Sequence, residues 1–425
     1  MKLQAVPSSA EPTTVSAALA HFRRTRATTV RLCAPLETED YVVQSMPDAS
    51  PTKWHLAHTA WFFEEFILSQ YQPRYQRLHE RYGLLFNSYY MGVGSAFTRA
   101  ERGLLSRPTV AEVLRYRVHV DAAMDDLLAR GDSSAEVLRL VELGCHHEQQ
   151  HQELLLTDLQ HALSLNPLQP AYRPAQVIRA TSTVSALRYL TFDGGIKSIG
   201  HARDGFAFDN ETPRHDVLLR PFRLADRLIT NSEYREFVES GGYRDPAHWL
   251  SDGWATVASE GWARPLYWSD DNLSEFTLTG VQDIDPAAPV SHLSFYEADA
   301  YARAVGARLP TEHEWETAAA DQPVEGNLLE CDNLQPVPVR ASRQGMAQLF
   351  GDVWEWTQSP YSPYPGFKPW SGRIAEYNGK FMANQFVLRG GSCVTSTSHV
   401  RATYRNFFPP TARWQFAGVR LAKDC

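Results

Sequence analysis

An α+β multidomain chain, with a four-helix bundle leading into a loop-rich mixed domain, is the fold that this sequence predicts. Three observations point to it. A length of 425 residues favours two or three domains over one. Apolar residues at helical spacing are confined to about the first 165 residues. Beyond Thr181, short apolar runs alternate with Gly, Pro, Asn and Asp clusters, and tryptophan becomes frequent.

The first helix is expected over Ala17 to Arg31. Ser50-Pro51 offers an N-cap and a proline at the first helical position, leading into TKWHLAHTAWFFEEFILSQY. Ser106-Arg107-Pro108 opens a third helix that runs until Gly131. Ser133-Ser134 opens a fourth, through VLRLVELGCHHEQQHQELLLTDLQHAL, which stops before Pro167. Helices of this length, with a long connection between the second and third, predict a four-helix bundle over residues 1–165. Residues 166–180 are expected to be a linker, since Asn166 to Pro174 is proline-rich and poor in packing residues. Residues 181–425 form the second domain, with short helices expected at Asn231–Ser240 and Ser294–Val305 and long irregular excursions elsewhere. Such loops are often where ligands are gripped.

Charge and composition exclude several classes of function. Lysine and arginine total 41 against 49 acidic residues, a net charge of −8, so there is no general attraction to nucleic acid or anionic membrane. No stretch approaches 18 uninterrupted apolar residues, and Met1 to Thr14 has no signal-like apolar core. The 5 cysteines are scattered and odd in number, which fits a reducing cytoplasm better than a disulfide framework.

The sharpest chemical signal is Cys145-His146-His147-Glu148-Gln149-Gln150-His151-Gln152-Glu153. His147 and His151 are four apart on a helix, so both imidazoles project from one face, about 6 Å apart along the axis. Two neutral imidazoles so placed can chelate one divalent ion. A third ligand has to come from elsewhere, and His55 and His58 on the second helix are the candidates, because facing helices build metal sites inside bundles. Three protein ligands would leave positions open for water or substrate, as a catalytic metal requires. The same residues match H-E-x-x-H, with Glu148 as the would-be base of a zinc protease. That reading lacks its third ligand, since no Asp or Glu occurs between Leu159 and Phe192, and Leu154 stands where the longer metzincin pattern needs glycine.

LAH at 56–58 and HEQQHQE at 147–153 resemble the metal-binding motifs of DinB-like four-helix bundles. The second half resembles the formylglycine-generating-enzyme (sulfatase-modifying-factor) type of C-type-lectin-like domain. The resemblance lies in DNETPRH at 209–215, ITNSEYREF at 229–237, RLPTEHEWE at 308–316, GDVWEWT at 351–357, RGGS at 389–392 and FAGVR at 416–420. Together, in this order, the two halves resemble the ergothioneine-biosynthesis sulfoxide synthases. A formylglycine-generating enzyme proper relies on a cysteine pair after RGGS, whereas CVTSTSHVRATYR carries Cys393 alone. Related ovothiol-pathway (5-histidylcysteine sulfoxide) synthases commonly carry a C-terminal methyltransferase domain, and here the sequence ends at Cys425, shortly after FAGVR. A further alternative is a metal-dependent thiol transferase, which DinB-like bundles also host, but it leaves the large second domain without a clear task.

The resemblance implies that His58, His147 and His151 hold Fe(II), with O2 as co-substrate, although neutral nitrogen ligands suit zinc as well. It implies C–S bond formation between a thiol and the imidazole of hercynine, with oxidation of the sulfur to a sulfoxide. Gln150 and Asn406 match contacts to hercynine, and Phe407 matches an aromatic that packs on its trimethylammonium. For the phenol near the oxygen site, one branch points to Tyr361 or Tyr364, and the other to Tyr89 and Tyr90 in LFNSYY, which the NSYY match favours. In the branch using γ-glutamylcysteine, an aspartate and an arginine follow the asparagine at positions held here by Phe408 and Ala412. An apolar pair cannot supply charge-assisted bonds, so cysteine is the expected thiol in preference to γ-glutamylcysteine. Its carboxylate needs a cation, and Arg99, Arg102, Arg107 and Arg413 are the candidates.

Overall fold

A computed structural model describes residues 14–174, 184–202, 205–339 and 345–425. The chain divides into two compact units. The first comprises Met1–Pro167 together with two short segments from further along, Arg203–Phe206 and Pro369–Tyr377; the second comprises the rest. Of the expected linker, residues 175–180 lie outside the described residues.

The first unit is a bundle of four helices: α1 (Val15–Cys33), α2 (Thr52–Phe63), α3 (Val110–Ala129) and α4 (Ala135–Ser164). α1 and α2 each pack on both α3 and α4. Thr14 caps α1 and Ser134 caps α4, each side chain accepting a backbone N–H three residues on. α3 starts later than its sequence suggests. Thr109, not Ser106, is its cap, in a reciprocal box with Glu112. α2 also departs from expectation. Its N-terminus carries no side-chain cap, and Ser50 instead ties the chain to the bundle, its N–H donating to Asp158 Oδ2 at 2.8 Å and its Oγ accepting from Arg102 at 2.8 Å.

Every residue of α2 is buried, including Lys53, His55, His58 and Thr59. A helix enclosed on all sides has no polar face to mark its inner one, and its apolar residues lie all round it. It continues through a π-helical stretch, Glu64–Leu68, into Ser69–Tyr71. α4 lies close against α2 at Gly144, where a Cβ would come within 2.5 Å of the Phe63 ring. Among the described residues no helix is long and apolar enough to cross a membrane.

The second unit is built around two small sheets. One pairs Tyr189–Phe192 and Ala422–Asp424 on either side of Phe222–Ala225, all antiparallel. The other has the order Asn406–Phe408, Phe386–Arg389, Trp354–Pro360, Ala417–Gly418, with only the last pairing parallel. The expected helices are present as Asn231–Glu239 and Phe295–Ala304. Two more were not anticipated, Ser251–Glu260 and Glu312–Ala319. The latter is announced by a Thr311–Glu314 capping box that sits inside the RLPTEHEWE motif.

The motifs of this half interlock as buried ion pairs. Glu355 of GDVWEWT accepts from Arg420 of FAGVR at 2.8 Å and from the Trp315 indole of RLPTEHEWE at 2.8 Å. Arg389 of RGGS donates to Glu312 at 2.9 Å and Glu316 at 3.0 Å, and Arg405 donates to Glu312 at 2.8 Å. Glu211 of DNETPRH accepts from Thr403 at 2.6 Å and pairs with Arg401. Removing one partner of such a pair would leave an uncompensated buried charge, so the residues stand or fall together.

Candidate metal centre

Helical geometry brings three imidazoles to one point in the bundle. His147 and His151 are one turn apart on α4, and His58 faces them from α2. One ring nitrogen from each lies within 4.8 Å of the others, and the His58 and His147 Nε2 atoms are 3.1 Å apart. Two bonds of about 2.0–2.1 Å to a shared ion can span such a separation.

The proton positions suit ligation. His58 Nδ1 faces the Phe86 carbonyl at 2.5 Å, delivered by the short helix Tyr82–Phe86, so that nitrogen carries the hydrogen and Nε2 keeps its lone pair. Burial pushes His147 down to about 3. Burial, then the neighbouring imidazoles, push His58 and His151 well below the usual histidine range. All three are therefore neutral at pH 7, as metal ligands must be. With its hydrogen on Nε2, neutral His147 would donate to His58 Nε2 at 3.1 Å; with it on Nδ1, both Nε2 lone pairs face a shared point where an ion can bind.

The walls are aromatic. Trp54 and Trp61 stack on His58 with centroids 4.5 and 5.4 Å away, and Phe62 lies 4.5 Å from His147. Tyr90 is fully buried against Trp61, Phe62 and Phe66, and Tyr89 stacks on it at 4.6 Å. The loop that presents both tyrosines is tied by Asn87, which accepts from the Tyr90 N–H and donates to the Tyr90 carbonyl, each at 3.1 Å. His55 stays out of the triad. It bridges His151, at 2.9 Å between their Nδ1 atoms, and Asp158.

Glu148 cannot serve as a zinc-protease base. Its Oε1 accepts from Thr29 at 2.6 Å and Arg117 at 2.8 Å, and its Oε2 accepts from Arg26 at 2.8 Å. Although burial opposes it, Arg26 and Arg117 hold the carboxyl down to about 2. It is an anion locked into the packing of α1, α3 and α4.

Gln150, next to the last histidine, accepts a hydrogen bond at Oε1 from Tyr377 at 2.7 Å. Tyr377 belongs to the first unit through the Pro369–Tyr377 segment, with its ring 6.0 Å from His147 and 6.4 Å from Tyr90. The sequence reading missed it. A lone tyrosine in an irregular stretch carries no spacing signal. Glu376, beside it, accepts from the Gly92 N–H at 2.6 Å, and Arg373 pairs with Glu65.

The four arginines considered for a carboxylate separate sharply. Arg102 is buried, its guanidinium 3.3 Å over Trp54, and among the described residues it makes no ion pair and its Nε has no hydrogen-bond partner. Burial and Arg99 push it down to about 9. Arg99 donates to the Asp48 carbonyl, and Arg107 to the Ser106 carbonyl at 2.9 Å. Arg413, in the second unit, already pairs with buried Glu297 at 2.7 Å and lies 4.1 Å over Trp262.

The remaining candidates also lie in the second unit. Asn406, Phe407 and Phe408 form the edge strand of the four-stranded sheet, with Phe407 stacked on Tyr361 at 4.0 Å. Asn406 accepts from the Phe407 N–H at 2.9 Å. Tyr361 accepts from Asn210 at 2.9 Å and Tyr364 from Arg389 at 3.1 Å, so both phenols are held in the hydrogen-bonded interior of that unit.

Comparison with known proteins divides the chain in two. Residues 21–155 match the DinB superfamily, and residues 175–336 and 330–425 match the sulfatase-modifying factor enzyme 1-like domain. A protein of Mycolicibacterium thermoresistibile named hercynine oxygenase is 34% identical over 408 residues, covering 89% of this chain and 88% of its own. Its namesake in Mycobacterium tuberculosis is 33% identical, covering 95% and 98% respectively. The ergothioneine biosynthesis protein 1 of Schizosaccharomyces pombe is 28% identical over 233 residues, covering 52% of this chain and 28% of its own.

Proposed function

The chain belongs to the hercynine oxygenase family, and on that footing we propose that it is an O2-dependent enzyme of ergothioneine biosynthesis. The reaction joins the sulfur of cysteine to an imidazole carbon of hercynine and oxidises that sulfur to the sulfoxide, giving hercynylcysteine sulfoxide. It balances as one C–H, one S–H and one O2 giving the C–S bond, one S=O and one water. The observation that carries the reading is the convergence of three neutral imidazoles, His58 and His147 buried and His151 half-buried, beside Gln150.

His58, His147 and His151 would hold the metal, Fe(II) in this reading. Bound there, iron supplies the redox chemistry that couples O2 reduction to oxidation of the substrates. The protein contributes position and proton placement. Gln150 is the proposed contact to the imidazole of hercynine, its side-chain carbonyl held by the Tyr377 phenol. The sequence resemblance assigns Asn406 and Phe407, in the second unit, to hercynine as well. Tyr89 and Tyr90 are the proposed proton-donating phenols. The Trp54, Trp61 and Phe62 walls exclude water, which strengthens every polar interaction within.

Cysteine is the proposed thiol. Arg102 is suited to its carboxylate because it is buried and lacks an anionic partner among the described residues. The positions that serve γ-glutamylcysteine in the branch using it hold Phe408 and Ala412 here, and the adjacent cation, Arg413, is neutralised by Glu297. The test is incubation of Fe(II)-loaded protein with hercynine and each thiol in air, with products identified by mass spectrometry. Hercynylcysteine sulfoxide and a higher kcat/KM for cysteine are expected. A higher value for γ-glutamylcysteine would overturn the thiol assignment, and no C–S product with either would overturn the function.

A further inference from the structure

We propose that His55 and Asp158 are positioning residues that fix the tautomer of His151, so that its Nε2 lone pair is turned to the metal. The proposal rests on the three-histidine reading above and adds to it a named outer layer.

The argument follows the hydrogens. Asp158 Oδ2 accepts from the Ser50 N–H at 2.8 Å and lies 3.1 Å from His55 Nε2. A carboxylate can only accept, so the His55 hydrogen sits on Nε2 and its Nδ1 is bare. That bare Nδ1 is 2.9 Å from His151 Nδ1. One of those two nitrogens has to donate, and only His151 can, so His151 carries its hydrogen on Nδ1 and leaves Nε2 free. Reversing the order at Asp158 would reverse it along the whole row, and His151 would aim an N–H into the metal centre. His55 and Asp158 are both buried, so bulk water does not compete for these sites.

Helix periodicity builds the row. His151 and Asp158 are seven apart on α4, two turns along one face, while His55 and His58 are three apart on α2. The three ligands thus differ in what lies behind them. His58 rests on a backbone carbonyl, His147 Nδ1 has no partner among the described residues, and His151 alone is backed by a carboxylate through a second imidazole. Partners of this kind orient the ring and raise ligand basicity.

A purely structural bridge between α2 and α4 would hold the same atoms together, and two substitutions distinguish it. His55→Asn keeps an oxygen where Nδ1 stands, able to accept from His151, while His55→Leu keeps the bulk and removes the acceptor. The measurement is the Kd of the full-length protein for Co(II), by competition with a chelating dye, with far-ultraviolet circular dichroism as the check on folding. The proposal expects His55→Leu to bind about 10- to 100-fold more weakly and His55→Asn to remain within about threefold of wild type. Asp158→Asn provides a second reading should His55→Leu lose its helical signal. It keeps the shape and removes the charge, and Kd should weaken at least about threefold. Equal loss in His55→Leu and His55→Asn, or wild-type affinity in His55→Leu or Asp158→Asn, overturns the relay. A wild-type protein that binds no Co(II), or a His147→Ala variant that binds it as tightly, would instead overturn the three-histidine reading on which the relay depends.

Discussion

His147→Ala, His58→Ala and His151→Ala should each abolish stoichiometric Fe(II) binding, read by metal analysis after desalting. His55→Ala should keep the stoichiometry with a weaker Kd, because His55 touches His151 and not the shared point. Iron lost from His55→Ala and retained in His58→Ala would reverse the assignment. Tyr89 and Tyr90 allow a second test at this scale. Replacing both with phenylalanine keeps the stacked rings and removes the phenols, so sulfoxide formation should fall while cysteine sulfinate rises. An unchanged product ratio would move the proton-donor role to another phenol, such as Tyr377, which belongs to the first unit and has its ring 6.0 Å from His147. How much of this was legible differs by residue. The His147 and His151 pair announces itself, because four residues are one helical turn. His58 against His55 could not be decided by spacing, since both lie on a helix buried on every side. Arg102 stands out from the other three arginines only by burial and lack of an anion, which a linear sequence does not display.

At the scale of elements, α4 is the organiser. It carries His147 and His151 inward, Glu148 into the ion pairs with Arg26 and Arg117, and Gly144 against Phe63. Gly144→Ala should therefore destabilise the bundle by about 1–3 kcal/mol, measured by urea unfolding, although alanine is the better helix former. The added methyl would meet a fully buried ring that has nowhere to move. Stability equal to wild type would show that α2 and α4 can separate at that point. Glu148→Ala should cost about 3–5 kcal/mol, because two buried guanidinium groups lose their shared anion. Helix positions in the bundle were readable from periodicity, and so was the cap of α4 at Ser134, whereas the start of α3 was not. Thr109 and Ser106 both look like caps, and only the reciprocal bond with Glu112 separates them. In the second unit, Glu312–Ala319 escaped notice because its polar first turn reads as loop, although Thr311 and Glu314 form a capping box. The motifs there were legible as a family signature. Their physical role, arginine–carboxylate pairs joining segments as distant as Glu355 and Arg420, was not, since pairing across the chain leaves no local pattern.

Across the whole molecule, buried titratable groups set the response to acid. Burial pushes His292 down to about 3, so the folded chain keeps it neutral while the unfolded chain protonates it below about 6.5. Stability from that group is present above about pH 6.5 and falls by up to about 1.4 kcal/mol per pH unit as pH drops toward 3. Glu148, held down at about 2, adds a second loss that begins as pH falls through about 4.5. These two groups thus cost stability between pH 6.5 and pH 4, against a gain from Glu275 and Asp352, which burial raises to about 7 and about 6. His292→Asn should flatten the upper part of that slope, as asparagine tolerates the left-handed backbone at φ 61°. An identical slope in the variant would mean that His292 already titrates normally. The two-part architecture was legible because the change from helical periodicity to short, punctuated runs is abrupt. The return of Pro369–Tyr377 to the first unit was not, because a short irregular segment has no periodicity to reveal its partner.

Dissolved-oxygen consumption, with sulfoxide quantified in the same vessel, tests the central claim most directly. For the Fe(II)-loaded protein supplied with hercynine and cysteine, the account predicts uptake that requires both substrates. It predicts one O2 consumed per sulfoxide formed and no such uptake in His147→Ala. Formation of the C–S bond without oxygen consumption, or uptake with cysteine alone that hercynine does not redirect, would contradict it.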